Sequence, residues 1–499
     1  MSRFRLEILL VFLFSLAVRL AVFYSAPVPT GDAAQYASFV REIASSGGYI
    51  PAVNTVYFPG STYIYPPFLF LMTYWLSILL SPAVSPGGFT YLWILLAVSA
   101  VFSSMTASLI YGSLGRAEKR NQIIARIIVL SVFSPDVFAF TWGGYPYVVS
   151  EFFLVLMIFS FLYRDKGLFW KVLAPLSIIF VGITHDLTFF VSVYLVLVFM
   201  VLDLIRKDFR KVKLDLIPLF SGILVAIIWW GPRFSFLLSA ITTSQAQGNG
   251  PFAQISDPFL SFVGLVPAAS VIVGLAIVEI IGFRRLNAPP NTGYLEIAAY
   301  SSVIALPFLL LDPAISARYV LYALDFLVII AMMNLKFIPS MNSTKWARKI
   351  VSVGFAALLL MIPVQMAASA YSVSYYSTGT FQYDSTLVSW GAGNLSNGTV
   401  IAPSTIGEYL SAVDGAKVIT YTGFFVGMHE LAMRNAAAQI VLNPGSNLSK
   451  NYTSQYDIRY VVIEKSLVNT TLDGHYISFP SSMYRDVLTT QYYEVFLVI

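Results

Sequence analysis

Runs of about 18 or more apolar residues recur along this chain from residue 6 to residue 370, each long enough to cross a bilayer as a helix. That repetition fixes the fold class: a polytopic α-helical membrane protein. Only 11% of the residues are charged, and 57% are hydrophobic. A water-soluble globule carries about 25% charged residues, so that class is excluded. The predicted spans are 6–24, 89–112, 122–140, 147–163, 168–184, 187–205, 216–238, 259–282, 294–311, 319–335 and 348–370, which makes about eleven helices by the length criterion. The first follows Arg3 and Arg5 and lacks a clean small-residue cleavage site, so it reads as a retained anchor with its N-terminus in the cytoplasm.

One apolar run is too short. Residues 66–80 open on Pro66-Pro67 and are followed by Ser-Pro-Ala-Val-Ser-Pro-Gly-Gly. If this run crossed, the basic clusters at 116–120, 206–213 and 283–285 would all lie outside, against the bias that keeps Lys and Arg in cytoplasmic loops. It is therefore expected to be interfacial or re-entrant, which leaves residues 26–88 as an outer loop. Within that loop Gly31-Asp32 precedes a helical run. Tyr36, Phe39, Val40 and Ile43 share one face of it, as in a helix lying in the membrane interface.

Residues 371–499 change character. Short β-type runs at 398–402, 417–420 and 460–464 alternate with a helical run at 428–442, the pattern of a small α/β domain. Asn394, Asn397, Asn447, Asn451 and Asn469 each open an Asn-x-Ser/Thr acceptor pattern, which requires a location outside the cytoplasm. Asn342 opens another, in a predicted inner loop where it should stay unmodified. The expected domains are thus a transmembrane domain, 1–370, and an extracytoplasmic α/β domain, 371–499. The net charge of +5 sits in short loops and reports topology, so no nucleic-acid partner is implied. The chain has no cysteine, hence no disulfide or thiol chemistry. P-loop, GxSxG and HExxH patterns are absent.

With this topology the polar side chains gather at the outer face: Asp32, Asp136, Glu151, His185, Asp186, Asp257, Asp312 and Arg318. Carboxylates, an imidazole and a guanidinium converging on one face of a membrane protein mark a candidate site. Asp32 can cap its helix, act as a general base, or do both. Glu151 can be the negative residue of a helix's first turn, a second acid, or a metal ligand. Asp136 follows Pro135 and has the same choice between cap and second acid. His185 and Arg318 could bind phosphate, the guanidinium by charge and geometry. Arg19, in the outer part of the first span, could reach Asp32 or a lipid phosphate. Asp325 lies about two turns into its span and must face protein.

Gly31-Asp32 with Tyr36, the turn Tyr65-Pro66-Pro67, and Trp142-Gly-Gly-Tyr-Pro between Asp136 and Glu151 together resemble the GT-C superfamily of membrane glycosyltransferases. The layout is most similar to oligosaccharyltransferase catalytic subunits and their archaeal relatives. In the tail, the run from Trp390 to Pro403, then Ser404-Thr-Ile-Gly and Tyr409, is similar too. Where those enzymes carry Trp-Asp-Tyr-Gly, this chain has Ser404-Thr405-Ile406-Gly407. The resemblance implies an inverting glycosyltransferase with a polyprenyl-phosphate donor, dolichyl in archaea, and a glycan, lipid or protein acceptor. Asp32 would be the base; Arg318 and His185 would hold the donor phosphate. Glu151 or Asp136 would be a second acid or hold a divalent cation such as Mg²⁺ or Mn²⁺, with Asp186, Arg19 and Tyr36 in support. Two alternatives stand beside it: transfer of a whole lipid-linked glycan to protein, and a transporter or flippase. A transporter calls for repeat symmetry, which the chain does not display.

Overall fold

In the computed structural model the described residues are 3–234 without 25, 27, 30–31, 82–86, 114 and 116–119, then 266, 269–272, 321–322, 324 and 328, then 345–499 without 379–382, 396–397, 423–427 and 473. The predicted spans at 259–282, 294–311 and 319–335, together with Asp257, Asp312, Arg318, Asp325 and Asn342, fall largely or wholly outside them. The helices up to residue 225 are α1 (Arg3–Val22), α2 (Ala33–Ser45), α3 (Phe68–Leu80), α4 (Gly88–Ser113), α5 (Arg120–Val132), α6 (Asp136–Thr141), α7 (Tyr145–Tyr163), α8 (Leu168–Gly182), α9 (Asp186–Ile205) and α10 (Phe209–Val225). A long helix, Lys345–Thr378, precedes the tail.

Among the described residues six helical stretches are long and apolar enough to cross a membrane: Gly88–Ser113, Gln122–Thr141, Tyr145–Lys166, Asp186–Ile205, Phe209–Arg233 and Ser352–Ser374. Each coincides with a predicted span. α8 coincides with another but has only 15 residues, with Pro175 inside it. α1 coincides with the first, yet its window holds Arg5, Glu7 and Arg19. α3 has 13 residues, about 20 Å at 1.5 Å per residue. That is well short of the roughly 30 Å hydrocarbon core.

The chain divides into two compact units. The first comprises Met1–Ser25, Ala97–Trp229 and Pro258–Val373. Its packing is that of a helical membrane domain. α7 packs on α8, α8 on α9 and α10, and α1 on α5. Val18, Ile128, Val132 and Phe133 form one buried cluster with Leu358, Met361, Ile362 and Met366 of the long helix against it. Where α7 and α9 end, Arg164 pairs with Asp203 and with Asp215 of α10 (3.0 Å), so one buried guanidinium joins three helices.

The second unit comprises Ala26–Leu96, Trp230–Asp257 and Ser374–Ile499. The outer loop thus packs with the tail, although sequence order groups it with the spans. The tail holds a five-stranded mixed sheet in the order β2 (Lys417–Thr420), β1 (Thr399–Ala402), β3 (Ile458–Glu464), β7 (Tyr493–Val498), β6 (Tyr484–Thr489). A hairpin of β4 (Thr471–Leu472) and β5 (His475–Tyr476) lies apart from it in pairing. β1 pairs parallel with β2 and β3, while β7 runs antiparallel to β3 and β6. The helix Met428–Leu442 packs on β2 and Asn447–Gln455 on β3. These cover the fully buried Val400, Ile401, Val418, Val461 and Val462.

The outer loop is tied to this sheet through backbone. Phe58 N–H donates to Val418 O (2.8 Å) and Val418 N–H to Val56 O (2.7 Å), so residues 56–58 extend the sheet beyond β2. The Glu42 carboxylate holds that segment from α2. It accepts from Thr55 N (2.6 Å), Thr55 Oγ1 (2.6 Å), Val56 N (2.7 Å) and Tyr57 N (3.0 Å). The α2 face expected in the membrane interface is instead covered by protein. Phe39 packs against Tyr57, Tyr63, Tyr65 and Phe70 at centroid distances of 5.2–6.3 Å, and Tyr36 against Tyr65 and Phe70. Each such ring pair contributes about 0.5–1.5 kcal/mol beyond its burial.

Candidate active site

Asp32 stands at the N-cap of α2, and its side chain makes no capping hydrogen bond. Only its backbone carbonyl serves the helix, accepting from Tyr36 N at 3.0 Å. The structural role that the sequence offered for this carboxylate is therefore not the one it performs. Asp32 is half-buried, and its negative charge reaches Glu408 on the tail helix Ser404–Tyr409. That helix packs against α2. Its last residue, Tyr409, donates its hydroxyl to Pro29 O at 2.7 Å, three residues before Asp32.

Glu408 accepts a hydrogen bond from Tyr57 Oη at 3.3 Å. Burial first, and then the charge of Asp32, push its carboxyl well above the usual carboxylate range; Tyr57 and Arg434 oppose the shift. Arg434, on the helix Met428–Leu442, lies with its guanidinium 5.8 Å from the Phe58 ring centroid. Burial lowers its pKa, and Tyr57, Glu430 and Glu408 act against that. Phe58 is buried with φ +49°, a conformation that costs a bulky residue energy. Its bond to Val418 offsets that cost. Tyr57 and Glu408 thus touch near the start of α2, within electrostatic reach of the Asp32 carboxyl and the Arg434 guanidinium. Such a set can accept a proton, hold one, and face an anion.

Tyr36, expected in support of Asp32, turns its hydroxyl to Tyr65 Oη at 3.1 Å. Both belong to the aromatic cluster under α2.

In the membrane unit the remaining candidates take other partners. Arg19 and Asp136 bind each other. Arg19 Nη2 lies 2.9 Å from Asp136 Oδ1 and 3.0 Å from Oδ2, with Nε at 3.3 Å from Oδ2. Ser103 Oγ bonds both. Arg19 Nη1 donates to Ser131 O (2.9 Å) and Ser15 O (3.2 Å), and both charged side chains are 0–1% exposed. The guanidinium expected to reach Asp32 or a lipid phosphate is thus enclosed around Asp136. Asp136 makes no cap bond; Pro135 occupies the cap position of α6.

Glu151 is buried on α7, whose first turn carries no acid. The helix starts at Tyr145, six residues earlier than Glu151, about 9 Å at helical rise. First-turn dipole complementarity therefore does not account for it. His185 caps α9. Its Nδ1 accepts from Thr188 N (3.2 Å) and meets Thr188 Oγ1 at 2.8 Å. Thr188 Oγ1 also meets Tyr322 Oη (2.6 Å) and Ser150 Oγ (2.7 Å). With Nδ1 accepting, the neutral ring carries its proton on Nε2, which lies 3.6 Å from Asp186 Oδ1. Asp186 in turn accepts from Leu187 N at 2.6 Å. Arg318 lies outside the described residues. Among the described residues no three His, Asp or Glu side chains converge as metal ligands.

Sequence reading passed over Glu408, Tyr57, Arg434 and Glu42. A signal for Glu408 was present: it follows Gly407, the one position of the tail motif that matches. Gly407 is itself crowded, since a Cβ there would meet Val418, Thr420 and Ala402 at 3.0–3.2 Å.

No protein-family model matches the sequence, and no curated protein matches it either. Solved structures do. The Archaeoglobus fulgidus oligosaccharyltransferase in its apo form matches with TM-score 0.62 and 14% identity, covering 94% of this chain and 70% of that one. That enzyme has also been solved with an inhibitory peptide and a dolichol-phosphate, and with Zn and sulfate. ArnT from Cupriavidus metallidurans, bound to undecaprenyl phosphate, matches with TM-score 0.54 and 14% identity over 97% of each chain. The mycobacterial arabinofuranosyltransferase AftD matches with TM-score 0.57 and 14% identity, covering 100% of this chain and 40% of that one. At 14% identity the likeness is one of fold: this chain has the fold that these structures share.

Proposed function

We propose that this protein is a membrane glycosyltransferase. It takes a sugar from a polyprenyl-phosphate donor and gives it to an acceptor on the extracytoplasmic face, with Asp32 as general base. The observation that carries the reading is the place of Asp32 on a GT-C fold: its side chain does not cap α2, and its charge acts on Glu408 of the tail. In the reaction the acceptor oxygen attacks the anomeric carbon and Asp32 takes the hydroxyl proton. The anomeric carbon–oxygen bond breaks, and its electron pair leaves on the lipid phosphate. Attack opposite to the leaving group inverts the anomeric centre. Arg318 and His185 are the groups assigned to that phosphate, a guanidinium being suited to a doubly bonded oxyanion contact. Divalent-cation chemistry is not assigned to any residue.

Transfer of a lipid-linked glycan to a protein sequon is the second reading, favoured by the likeness to the Archaeoglobus enzyme. Ser404-Thr405-Ile406 in place of Trp-Asp-Tyr speaks against it. The test is turnover by the purified, detergent-solubilised protein. Dolichyl-phosphate mannose and dolichyl-phosphate glucose serve as donors, with glycan acceptors and a sequon peptide in parallel. Acceptor-dependent release of dolichyl phosphate is expected with glycan acceptors. Transfer to the sequon peptide alone would favour the second reading; no cleavage of donor with any acceptor, with the intact donor carried across the bilayer once the protein is reconstituted in liposomes, would overturn both.

A further inference from the structure

We infer that Thr188 and Tyr322 are the positioning residues of His185: they hold its ring so that Nδ1 stays on the helix and Nε2–H is presented to the donor phosphate. The inference rests on His185 serving that phosphate, and it deepens that reading by naming the groups that aim the ring.

An imidazole is an unusual helix cap. Asp, Asn, Ser and Thr fill that place best, with a side-chain oxygen accepting from the first turn. His185 fills it with Nδ1, in extended backbone (φ −154°, ψ 134°), and accepts from Thr188 N at 3.2 Å. A serine cap would end there; the imidazole keeps a second nitrogen, directed away from the helix. A backbone N–H is always a donor, so Nδ1 carries the lone pair and the proton of the neutral ring is on Nε2. Thr188 Oγ1, 2.8 Å from Nδ1, is then a donor to it as well. That uses the one hydroxyl proton of Thr188. Toward Tyr322 Oη, 2.6 Å away, Thr188 can only accept, so the phenol donates. The bonds run in one direction, from Tyr322 Oη–H to Thr188 Oγ1–H to His185 Nδ1.

The relay is enclosed. Thr188, Tyr322 and His185 are all buried, as is Ser150, whose Oγ lies 2.7 Å from Thr188 Oγ1 and donates to Tyr147 O. The Tyr147 ring stands edge-on to both other rings, 6.1 Å from His185 and 5.1 Å from Tyr322 between centroids. A hydroxyl left without a partner in such surroundings is costly, so these bonds hold their members firmly. Nε2 lies on the other edge. It is 3.6 Å from Asp186 Oδ1, beyond hydrogen-bond length, and the Asp186 side chain is 43% exposed. That oxygen accepts from Leu187 N instead. The buried edge of the imidazole is therefore fixed by α9 and its neighbours, while the edge that carries the proton is turned toward an open group. A phosphate oxygen gains negative charge as the anomeric carbon–oxygen bond breaks. A donor already aimed at it acts without reorganising at that moment.

The test uses the full-length protein in detergent with isotope-labelled nitrogen in its histidine rings. The chain has three histidines, and His185→Ala identifies the signal of this one. At a pH where the ring is neutral, nuclear magnetic resonance should place its proton on Nε2 in the unsubstituted protein and in Thr188→Ser, and show mixed tautomers in Thr188→Val. The value of kcat/KM for dolichyl-phosphate mannose should fall about tenfold in Thr188→Val and in Tyr322→Phe and recover in Thr188→Ser. Adding Thr188→Val to His185→Ala should cost nothing further. A threonine that only supports the fold would cost the same in both backgrounds, and that result would overturn the inference. So would a proton on Nδ1 in the unsubstituted protein. If His185→Ala is impaired while Thr188→Val is not, the phosphate role stands and the positioning role falls. If His185→Ala transfers sugar at the full rate, the phosphate role itself falls.

Discussion

The hydroxyl of Tyr409 donates to the carbonyl of Pro29 at 2.7 Å, across 380 residues of sequence. Both groups are buried, and Asp32 follows three residues later. The bond fixes the loop that presents Asp32 and does so from the tail. Tyr409→Phe removes it without changing the ring's packing on Tyr383. Loss of one such bond costs about 1 kcal/mol of stability, but a small misplacement of a catalytic group costs far more in rate. The expected outcome is a kcat/KM lowered about tenfold, with a thermal midpoint within a few degrees of the unsubstituted protein. A loss of stability as large as the loss of rate would reduce the bond to a structural one.

Arg19 and Asp136 should behave as a structural pair. Removing one partner of a buried, hydrogen-bonded ion pair costs about 3–5 kcal/mol, because the other charge is left without compensation. Asp136→Ala is expected to lower the denaturation midpoint in detergent sharply, and Arg19→Met with Asp136→Leu to recover most of the loss. An Asp136→Ala protein that stays stable and loses only sugar transfer would instead assign Asp136 to catalysis.

Glu42 gives an independent handle on the outer loop. Its carboxylate accepts four hydrogen bonds from Thr55, Val56 and Tyr57, and bonds to a charged acceptor contribute about 1.5–3 kcal/mol each. Glu42→Ala should expose the amides of Val56, Tyr57 and Phe58 to hydrogen exchange. Thr55→Val, which deletes one of the four, should leave them protected. Equal protection in both variants would mean that β2 alone holds the segment.

Asp414 sets a pH dependence of stability. Burial pushes its carboxyl up to about 7, with Arg41 opposing, and among the described residues neither of its oxygens has a hydrogen-bond partner. An acid whose folded pKa exceeds its unfolded value of about 4 binds protons more tightly in the folded state. Stability therefore falls as pH rises from about 4 through 7, and the cost is complete above that range. Asp414→Asn should flatten the fall in thermal midpoint between pH 5 and pH 8 and stabilise the protein at pH 8. An unchanged slope would place the titrating group elsewhere.

Apolar length made the six long apolar helices among the described residues legible, and the strands at β1, β2 and β3 with the helix 428–442 were legible from period and composition. The shortness of α3 was legible for the same reason: length is a property of sequence. Asp32 stood out as the first acid of the outer loop, the sole one before Glu42. The partners of these groups were not legible. Arg19 meets Asp136 from 117 residues away, and Glu408 meets Tyr57 from 351 away. Nothing in local period or charge encodes such pairs. Even the amphipathic face of α2 was ambiguous. Lipid and an aromatic cluster select the same residues, and only the positions of Tyr57, Tyr63, Tyr65 and Phe70 decide for protein.

The most direct measurement is sugar transfer by Asp32→Asn, purified from membranes and compared with the unsubstituted protein for dolichyl phosphate released from the same donor. Asparagine keeps the shape of the side chain and cannot take the acceptor's proton at neutral pH. A fall of at least a hundredfold in kcat, with the protein inserted and its thermal midpoint unchanged, is the result expected of a general base. Undiminished transfer by that variant would contradict it.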